Sequence, residues 1–321
     1  MIALITGAAG FIGSHLTRAL LEAGHEVVAI DNLSAGSTRN LVGIKRHLDF
    51  DFVDDDVSNS HSLHILMEKC DAVYHLAAAA GSRVIADHPA QTFETNTYAT
   101  RTVLDVARHL EKKVLVVSSG DVYGKSTAMP FHEDDDVVLG DIKSLRSSVA
   151  CSKLADEYLA MAYHQEHGLP VIIVRLFNTI GPRQSGQHGA VVPRFVSQAL
   201  QNEPLTVYGT GTQARCFAYV GDSVNGLMGL MDCPGAVGGV YNLGTSHEIT
   251  IDKLADKIIE MTTSQSKKTF VSHEDVYGKH FDDTLRCVPC LDKIHECIGY
   301  EPKTSLDQAL QVIIEDMRDR L

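Results

Sequence analysis

Residues 2–24, IALITGAAGFIGSHLTRALLEAG, constrain this chain more than any other stretch. A short apolar run, Ile2 to Ile5, ends in Thr6-Gly7. Gly7, Gly10 and Gly13 then recur at every third position, and an amphipathic stretch runs on to Gly24. The order is strand, glycine turn, helix. It brings the free N–H groups and the dipole of a helix N-terminus against a pyrophosphate, which needs close approach of the backbone. Gly7 permits the tight turn, Gly10 the close approach and Gly13 the packing of helix on strand, with Phe11 and Ile12 between them. A second run, HEVVAI, ends in Asp31, at about the 20-residue distance expected of an acid that binds a ribose 2′-hydroxyl. A carboxylate there repels a 2′-phosphate, so the cofactor expected is NAD. A glycine-rich turn without a ligand is the alternative, and the full context of strand, turn, helix and acid stands against it.

With 321 residues the chain can bury a large core, as one big domain or two lobes. A net charge of −13 leaves no basic footprint for nucleic acid. Phosphates must then be held by local N–H groups and a few arginines. No apolar run is long enough to span a membrane, and the N-terminus enters a strand without a basic region or signal-peptide core. Seven cysteines, an odd number, suggest reduced thiols. No membrane association and a cytoplasmic location are therefore expected.

The first half alternates strands, at 2–6, 26–31, 50–53, 72–76, 113–118 and 170–175, with helices at 11–23, 60–69, 89–110 and 149–167. Continuous apolar runs such as VLVV and VIIV fit a parallel sheet covered on both faces. The expected class is α/β, a doubly wound parallel sheet with ligands at the carboxyl ends of its strands. From about Leu176 the pattern loosens. Helices near 191–201, 221–231, 251–262 and 305–318 and a strand near 205–208 suit a smaller α/β lobe that closes over the strand ends. The division expected is 1–176 for the cofactor domain, with 216–240 returning to it, and 177–215 plus 241–321 for the substrate lobe. The acid run His132 to Asp136 reads as a solvated loop, not a metal site.

TGAAGFIGSHL, the strand end at Asp31, VYHLAA (73–78), SSGDVYG (118–124), CSK (151–153), VRLFNTIGPRQ (174–184), VVPRF (191–195), LTVYGTGTQARCFAYV (205–220) and PKTSLDQAL (302–310) together resemble an extended short-chain dehydrogenase/reductase. The nearest group is the NAD-dependent nucleotide-sugar epimerases, dehydratases and decarboxylases, in the UDP-glucuronate decarboxylase and UDP-sugar 4-epimerase branch. The resemblance implies a Rossmann-type fold and a bound NAD that takes hydride from C4 of a UDP-sugar. The resulting ketone then epimerises, loses water or decarboxylates. In that family a tyrosine removes the C4 hydroxyl proton, a lysine four residues later assists it, and a serine or threonine completes the triad. Lys153 matches the lysine and Ser119 the serine.

The tyrosine position holds Val149. Valine has no proton to exchange, and loss of a positioned base costs ~10²–10⁴ in rate. Tyr158 lies more than a turn beyond Lys153 and is a poor substitute. Asp121 stands where the decarboxylase-like pattern has glutamate. It could polarise a substrate hydroxyl or act as base, or be a loop residue bonded to its own backbone. Three readings follow: an enzyme with another base (Asp121, Lys153 or a substrate carboxylate), a catalytically impaired NAD- and UDP-sugar-binding sensor or partner subunit, or a sporadic loss of the tyrosine in an ordinary enzyme.

The resemblance further implies NAD contacts from Asn32, Asp56, Val57, Leu76, Ala77, Ala78 and Asn96, with Lys153 on the nicotinamide ribose. It implies UDP-sugar contacts from Asn178, Val192, Val207, Tyr208, Arg215 and Arg286, the arginines meeting the phosphates. Side chains at 80–84 and 120–121 would shape the sugar pocket. The spacing of Cys287, Cys290, His295 and Cys297 is too loose for zinc, and no metal is expected. Cys151 reads as a small buried hydrophobe. Helices 89–110 and 149–167 form a four-helix dimer interface in the family, which implies a homodimer.

Overall fold

Strands covered on both faces need apolar residues at every position. The computed structural model, which describes residues 1–79, 87–186, 189–278 and 283–320, builds one seven-stranded sheet from such runs. Its strands are β1 (Ile2–Thr6), β2 (Glu26–Asp31), β3 (Phe50–Asp54), β4 (Ala72–His75), β5 (Lys113–Ser119), β6 (Val171–Leu176) and a last strand, Val240–Leu243. They lie in the order Val240–Leu243, β6, β5, β4, β1, β2, β3, all parallel. Leu4 faces Val28 on one side and Val73 on the other, which sets the central register. The direction of winding reverses between β1 and β4, where such sheets open a crevice at their carboxyl ends.

Helices Phe11–Glu22, Val220–Asp232 and Asp292–Ile298 cover one face, through Leu16, Leu20, Leu227, Leu230 and Ile294. Helices Ser60–Glu68, Pro89–His109 and Leu145–His167 cover the other, through Leu63, Met67, Val103, Leu104 and Ala160. The six strands expected are all present. The helix expected from 149 starts at Leu145, so Val149 lies inside it rather than at its end. Gly168, with φ of +69°, closes that helix in the left-handed conformation.

Two elements correct the expected division of the chain. Val240–Leu243 pairs with β6, Val240 opposite Ile173, and helix Asp292–Ile298 packs on the sheet core, although 241–321 was assigned to the smaller lobe. VYNL is too short to stand out as a strand, and long-range pairing decides its place.

Helices Val191–Leu200, Ile251–Thr262 and Leu306–Arg318 build a second core from Phe195, Leu254, Ile258, Leu310 and Ile313. Strand Leu205–Tyr208 pairs with Lys268–Val271, and Ala214–Cys216 with Glu248–Thr250. Thr250 caps one of these helices, and Ser305 with Gln308 forms a capping box on another.

A buried polar network braces the ends of β5 and β6. Arg175 donates to both Glu157 oxygens, at 2.8 to 3.1 Å, and to the Glu133 carbonyl. Ser118 also donates to Glu157, at 2.5 Å. Tyr123, whose ring lies 4.8 Å from the Arg175 guanidinium, donates to Asn242. Glu133 is itself buried and accepts from the Asn242 N–H at 2.7 Å. The acid run 132–136 is therefore not wholly solvated, because this one carboxylate is drawn into the network.

Candidate active site

The glycine loop follows β1. Gly7 has φ of +71°, and a Cβ there would meet the Ala77 nitrogen at 2.8 Å. A Cβ on Gly13 would sit 2.1 Å from the Gly7 carbonyl oxygen. Both positions therefore exclude a side chain. Gly10 is the N-cap of helix Phe11–Glu22 and offers no side-chain cap to its N–H groups. Asp31, at the end of β2, accepts from the N–H of Ala9 at 2.9 Å and of Leu33 at 2.8 Å. Burial pushes its pKa above the usual carboxylate value, against the pull of those bonds. Asn32 donates to Asp56 at 2.6 Å, and Asp56 also accepts from the Ser58 N–H. Val57 and Ala77 pack into the core on the second face. Asn96 ties down Ala79, accepting from its N–H at 2.8 Å and donating to its carbonyl.

A cleft of about 950 Å³ runs from this loop to the smaller lobe. It brings together Gly7, Gly10, Phe11, Ile12, Gly13, Leu76, Ala78, Asp121, Val149, Asn178, Val192, Tyr208 and Arg215, all expected from the sequence. Ser119 and Lys153 lie behind its wall. The Ser119 hydroxyl accepts from the Asp121 N–H at 3.1 Å, capping the turn Gly120–Tyr123. Gly120 has Phe177 against it, 2.9 Å from where a Cβ would stand. Lys153 donates to the carbonyl of Val117, itself a wall residue, and stands 3.5 Å from the Asp156 carboxylate. Beneath it, His75 is bonded to Thr6 at 2.8 Å and Thr100 at 3.1 Å. Burial, and then the charge of Lys153, lowers the His75 pKa to about 3.

On the smaller lobe, Arg215 is buried on strand Ala214–Cys216 and paired with Asp283 at 2.5 Å. Arg194 stacks on Tyr208, its guanidinium 3.8 Å from the ring centroid, and Tyr277 meets Tyr208 edge-on. Two expected contacts lie elsewhere. Val207 is fully buried in the smaller-lobe core, because its side chain alternates away from that of Tyr208. Arg286 pairs with both oxygens of Glu248 and lines a separate 440 Å³ pocket with Met129, Pro130 and His132. Residues 80–84, expected to shape the sugar pocket, fall outside the described residues, apart from which Gly120 and Asp121 hold the positions given above. Sequence reasoning passed over Arg183, Arg194, Gln213 and Phe217, which also line the cleft. All four stand inside segments already singled out, VRLFNTIGPRQ, VVPRF and LTVYGTGTQARCFAYV. Arg183 bridges the lobes through His15 at 3.3 Å and the Asn40 carbonyl at 3.1 Å. Cys287 and Cys290 are buried, and Cys297 meets Cys233 with a sulfur separation of 3.6 Å.

The model of the NAD dependent epimerase/dehydratase family matches residues 3–244. The chain is 38% identical over 317 residues to a UDP-N-acetyl-alpha-D-glucosaminuronate decarboxylase of Bacillus cytotoxicus, covering 98% of this chain and 97% of that one. It is 36% identical over 320 residues to UDP-glucuronic acid decarboxylase 1 of Xenopus tropicalis, covering 99% of this chain and 72% of that one. Its fold is similar to that of UDP-glucuronic acid 4-epimerase from Bacillus cereus, solved in complex with UDP-glucuronic acid and NAD. The TM-score is 0.90, with 27% identity and all of both chains covered.

The groups present fit NAD. The glycine cradle leaves no room for side chains at Gly7 or Gly13, and the buried Asp31 carboxylate keeps acceptor capacity beyond its two backbone donors. The seven-stranded parallel sheet, its glycine loop and the comparisons agree: the chain is an enzyme of the NAD dependent epimerase/dehydratase family, with NAD as its cofactor.

Proposed function

We propose that this enzyme oxidises the C4 hydroxyl of a UDP-hexuronate and then releases the C6 carboxylate as carbon dioxide. One observation carries the reading. A single cleft joins the glycine loop to Arg215, with Asp121 and Val149 between them. A dinucleotide laid on the loop and a nucleotide sugar anchored at Arg215 meet at those two residues. The two UDP-uronate decarboxylases named above support the choice of substrate. NAD, when bound, supplies the hydride acceptor. A ketone at C4 stands β to the C6 carboxylate, so the electrons of the C5–C6 bond delocalise into it as carbon dioxide leaves. Epimerisation and dehydration are the neighbouring fates of the same ketone.

The side chains divide the work by position. Arg215 holds the pyrophosphate, while Asn178, Val192 and Tyr208 hold the rest of the nucleotide sugar. Ser119 orients the C4 hydroxyl, and Lys153 accepts its proton in the absence of a tyrosine at 149, with Asp121 as the other candidate base. Asn32, Asp56 and Asn96 shape the cofactor side of the cleft. A homodimer through helices Pro89–His109 and Leu145–His167 belongs to the same reading, since Tyr98 and Tyr158 stand exposed on them.

Purified protein mixed with NAD and UDP-glucuronate, UDP-N-acetylglucosaminuronate or UDP-glucose, followed by proton NMR, tests this. The expected result with a uronate is the new anomeric signal of a pentose product, whose C5 carries two protons where the uronate had one, as carbon dioxide forms. Sugar line broadening without any new signal would leave only NAD and UDP-sugar binding, and the proposal would fail.

A further inference from the structure

Arg183 is a cation without an anion of its own. Its turn lies on the first turns of helix Phe11–Glu22. A Cβ on Gly181 would stand 3.4 Å from the Phe11 ring, and that ring meets His15 edge-on at 5.7 Å. Among the described residues, Arg183 Nε donates to His15 Nε2 at 3.3 Å and Nη1 to the Asn40 carbonyl at 3.1 Å, while Nη2 has no partner. The bond to His15 is contested, because the same Nε2 stands 2.9 Å from the Pro182 carbonyl. Burial lowers the His15 pKa to about 4, so the ring is neutral at neutral pH. A nitrogen of a neutral imidazole is either donor or acceptor. It can give Pro182 a proton or Arg183 a lone pair, not both.

The surrounding charge is unbalanced in the same sense. Burial, and then the cations Arg18 and, more weakly, Arg320, lower the Arg183 pKa to about 10, with Asp316 acting the other way. That carboxylate is already shared: it accepts from Arg320 at 2.7 Å and from the Arg183 backbone N–H at 3.4 Å. The backbone is strained as well, with φ of +69° at Arg183. Strain of this kind at a residue other than glycine collects at ligand clamps.

An anion beside Arg183 relieves each of these conditions. It gives Nη2 an acceptor, releases His15 to donate to Pro182, and offsets the crowded positive charge. Arg183 lines the same cleft as Gly10, Phe11 and Ile12, where the uncapped N–H groups of the helix favour a pyrophosphate. We infer that Arg183 is a cofactor-binding residue, a side-chain cation for the NAD pyrophosphate that the glycine loop otherwise meets with backbone N–H groups alone. The planar guanidinium suits phosphate oxygens. The contact also ties the loop that leads into helix Val191–Leu200, and with it Val192 and Arg194 of the cleft wall, to the bound cofactor.

Titration calorimetry of the full chain, freed of nucleotide, with NAD, ADP-ribose, adenosine and UDP tests this. In Arg183→Gln, NAD and ADP-ribose should bind about tenfold or more weakly, the scale of one lost charged hydrogen bond. Adenosine, which has no phosphate, and UDP, assigned to Arg215, should change by less than about twofold, within the effect of a surface substitution. Arg183→Lys keeps the cation without the fork and should fall between Arg183→Gln and the unsubstituted protein for NAD. An arginine that only braces the two lobes would loosen adenosine and UDP together with NAD. That result, or an unchanged NAD affinity in Arg183→Gln, would overturn the proposal. Should Arg183→Gln fail to fold, Arg183→Lys decides by the same comparison of ADP-ribose with adenosine. None of these readouts needs turnover, so failure of every UDP-sugar to react would overturn the functional reading and leave this proposal standing.

Discussion

Lys153 Nζ donates to the carbonyl oxygen of Val117 at 3.3 Å, which fixes the helix bearing Val149 to the strand that ends in Ser119. The contact joins the lysine to the wall of the cleft, and Asp156 stands on its other side.

Replacing this lysine therefore has two separable effects. Lys153→Met should lower kcat by about 10² to 10⁴, the range for loss of a positioned base. It also leaves Asp156 without its cation. A carboxylate whose folded pKa is raised above its unfolded value costs stability as the pH rises through that interval, and removing the lysine widens the interval. The melting temperature of Lys153→Met should fall below that of the unsubstituted protein by more at pH 8 than at pH 5.

His75 gives an acid limb of opposite sign. Its folded pKa is about 3 against 6.5 for the exposed ring, so the unfolded chain takes up the proton first. Stability present above pH 6.5 is lost as the pH falls toward 3, at about 1.4 kcal/mol per pH unit. His15, lowered to about 4 mainly by burial, adds a similar loss over much of the same window. Urea unfolding of His75→Gln between pH 6 and pH 4 should show a stability slope shallower by about 1.4 kcal/mol per pH unit. An unchanged slope would mean that the ring is already charged in the folded protein.

Arg215 tests the smaller-lobe half of the cleft. Its guanidinium is buried and paired with Asp283 at 2.5 Å, which aims it along the cleft wall. Arg215→Lys keeps the charge and loses the planar fork. Titration calorimetry with UDP should show binding weakened by about tenfold or more, on the scale of 1.5–3 kcal/mol for a charged hydrogen bond. NAD affinity should not change.

Much of this was written in local sequence. Ile2–Thr6, the three glycines and Asp31 declare a strand, a turn and an acid within thirty residues, because each depends on near neighbours and on a spacing. The same holds for the apolar strands β5 and β6, which need no partner to be recognised. What was not legible depends on contacts distant in sequence. Val240–Leu243 becomes a strand only because β6 offers it an edge. Glu133 sits in an acid run that looks solvated until Asn242 and Arg175 close around it. Arg286 stands in a segment that resembles a phosphate contact, and Glu248 on a neighbouring strand captures it. Asp156, three residues after Lys153 on a helix, carries no local mark of burial in the sequence. The packing of helix Pro89–His109, β5 and β6 against that helix buries it.

The central claim is that hydride leaves C4 of the sugar although residue 149 is valine. The most direct measurement is a single turnover of the NAD-loaded enzyme with UDP-glucuronate carrying deuterium at C4, followed by the absorbance of reduced nicotinamide. The account predicts a transient reduced nicotinamide whose appearance is slowed by the deuterium, with the label found on the cofactor. Product formed with neither the transient nor the isotope effect would contradict it, and so would a bound sugar that never reacts.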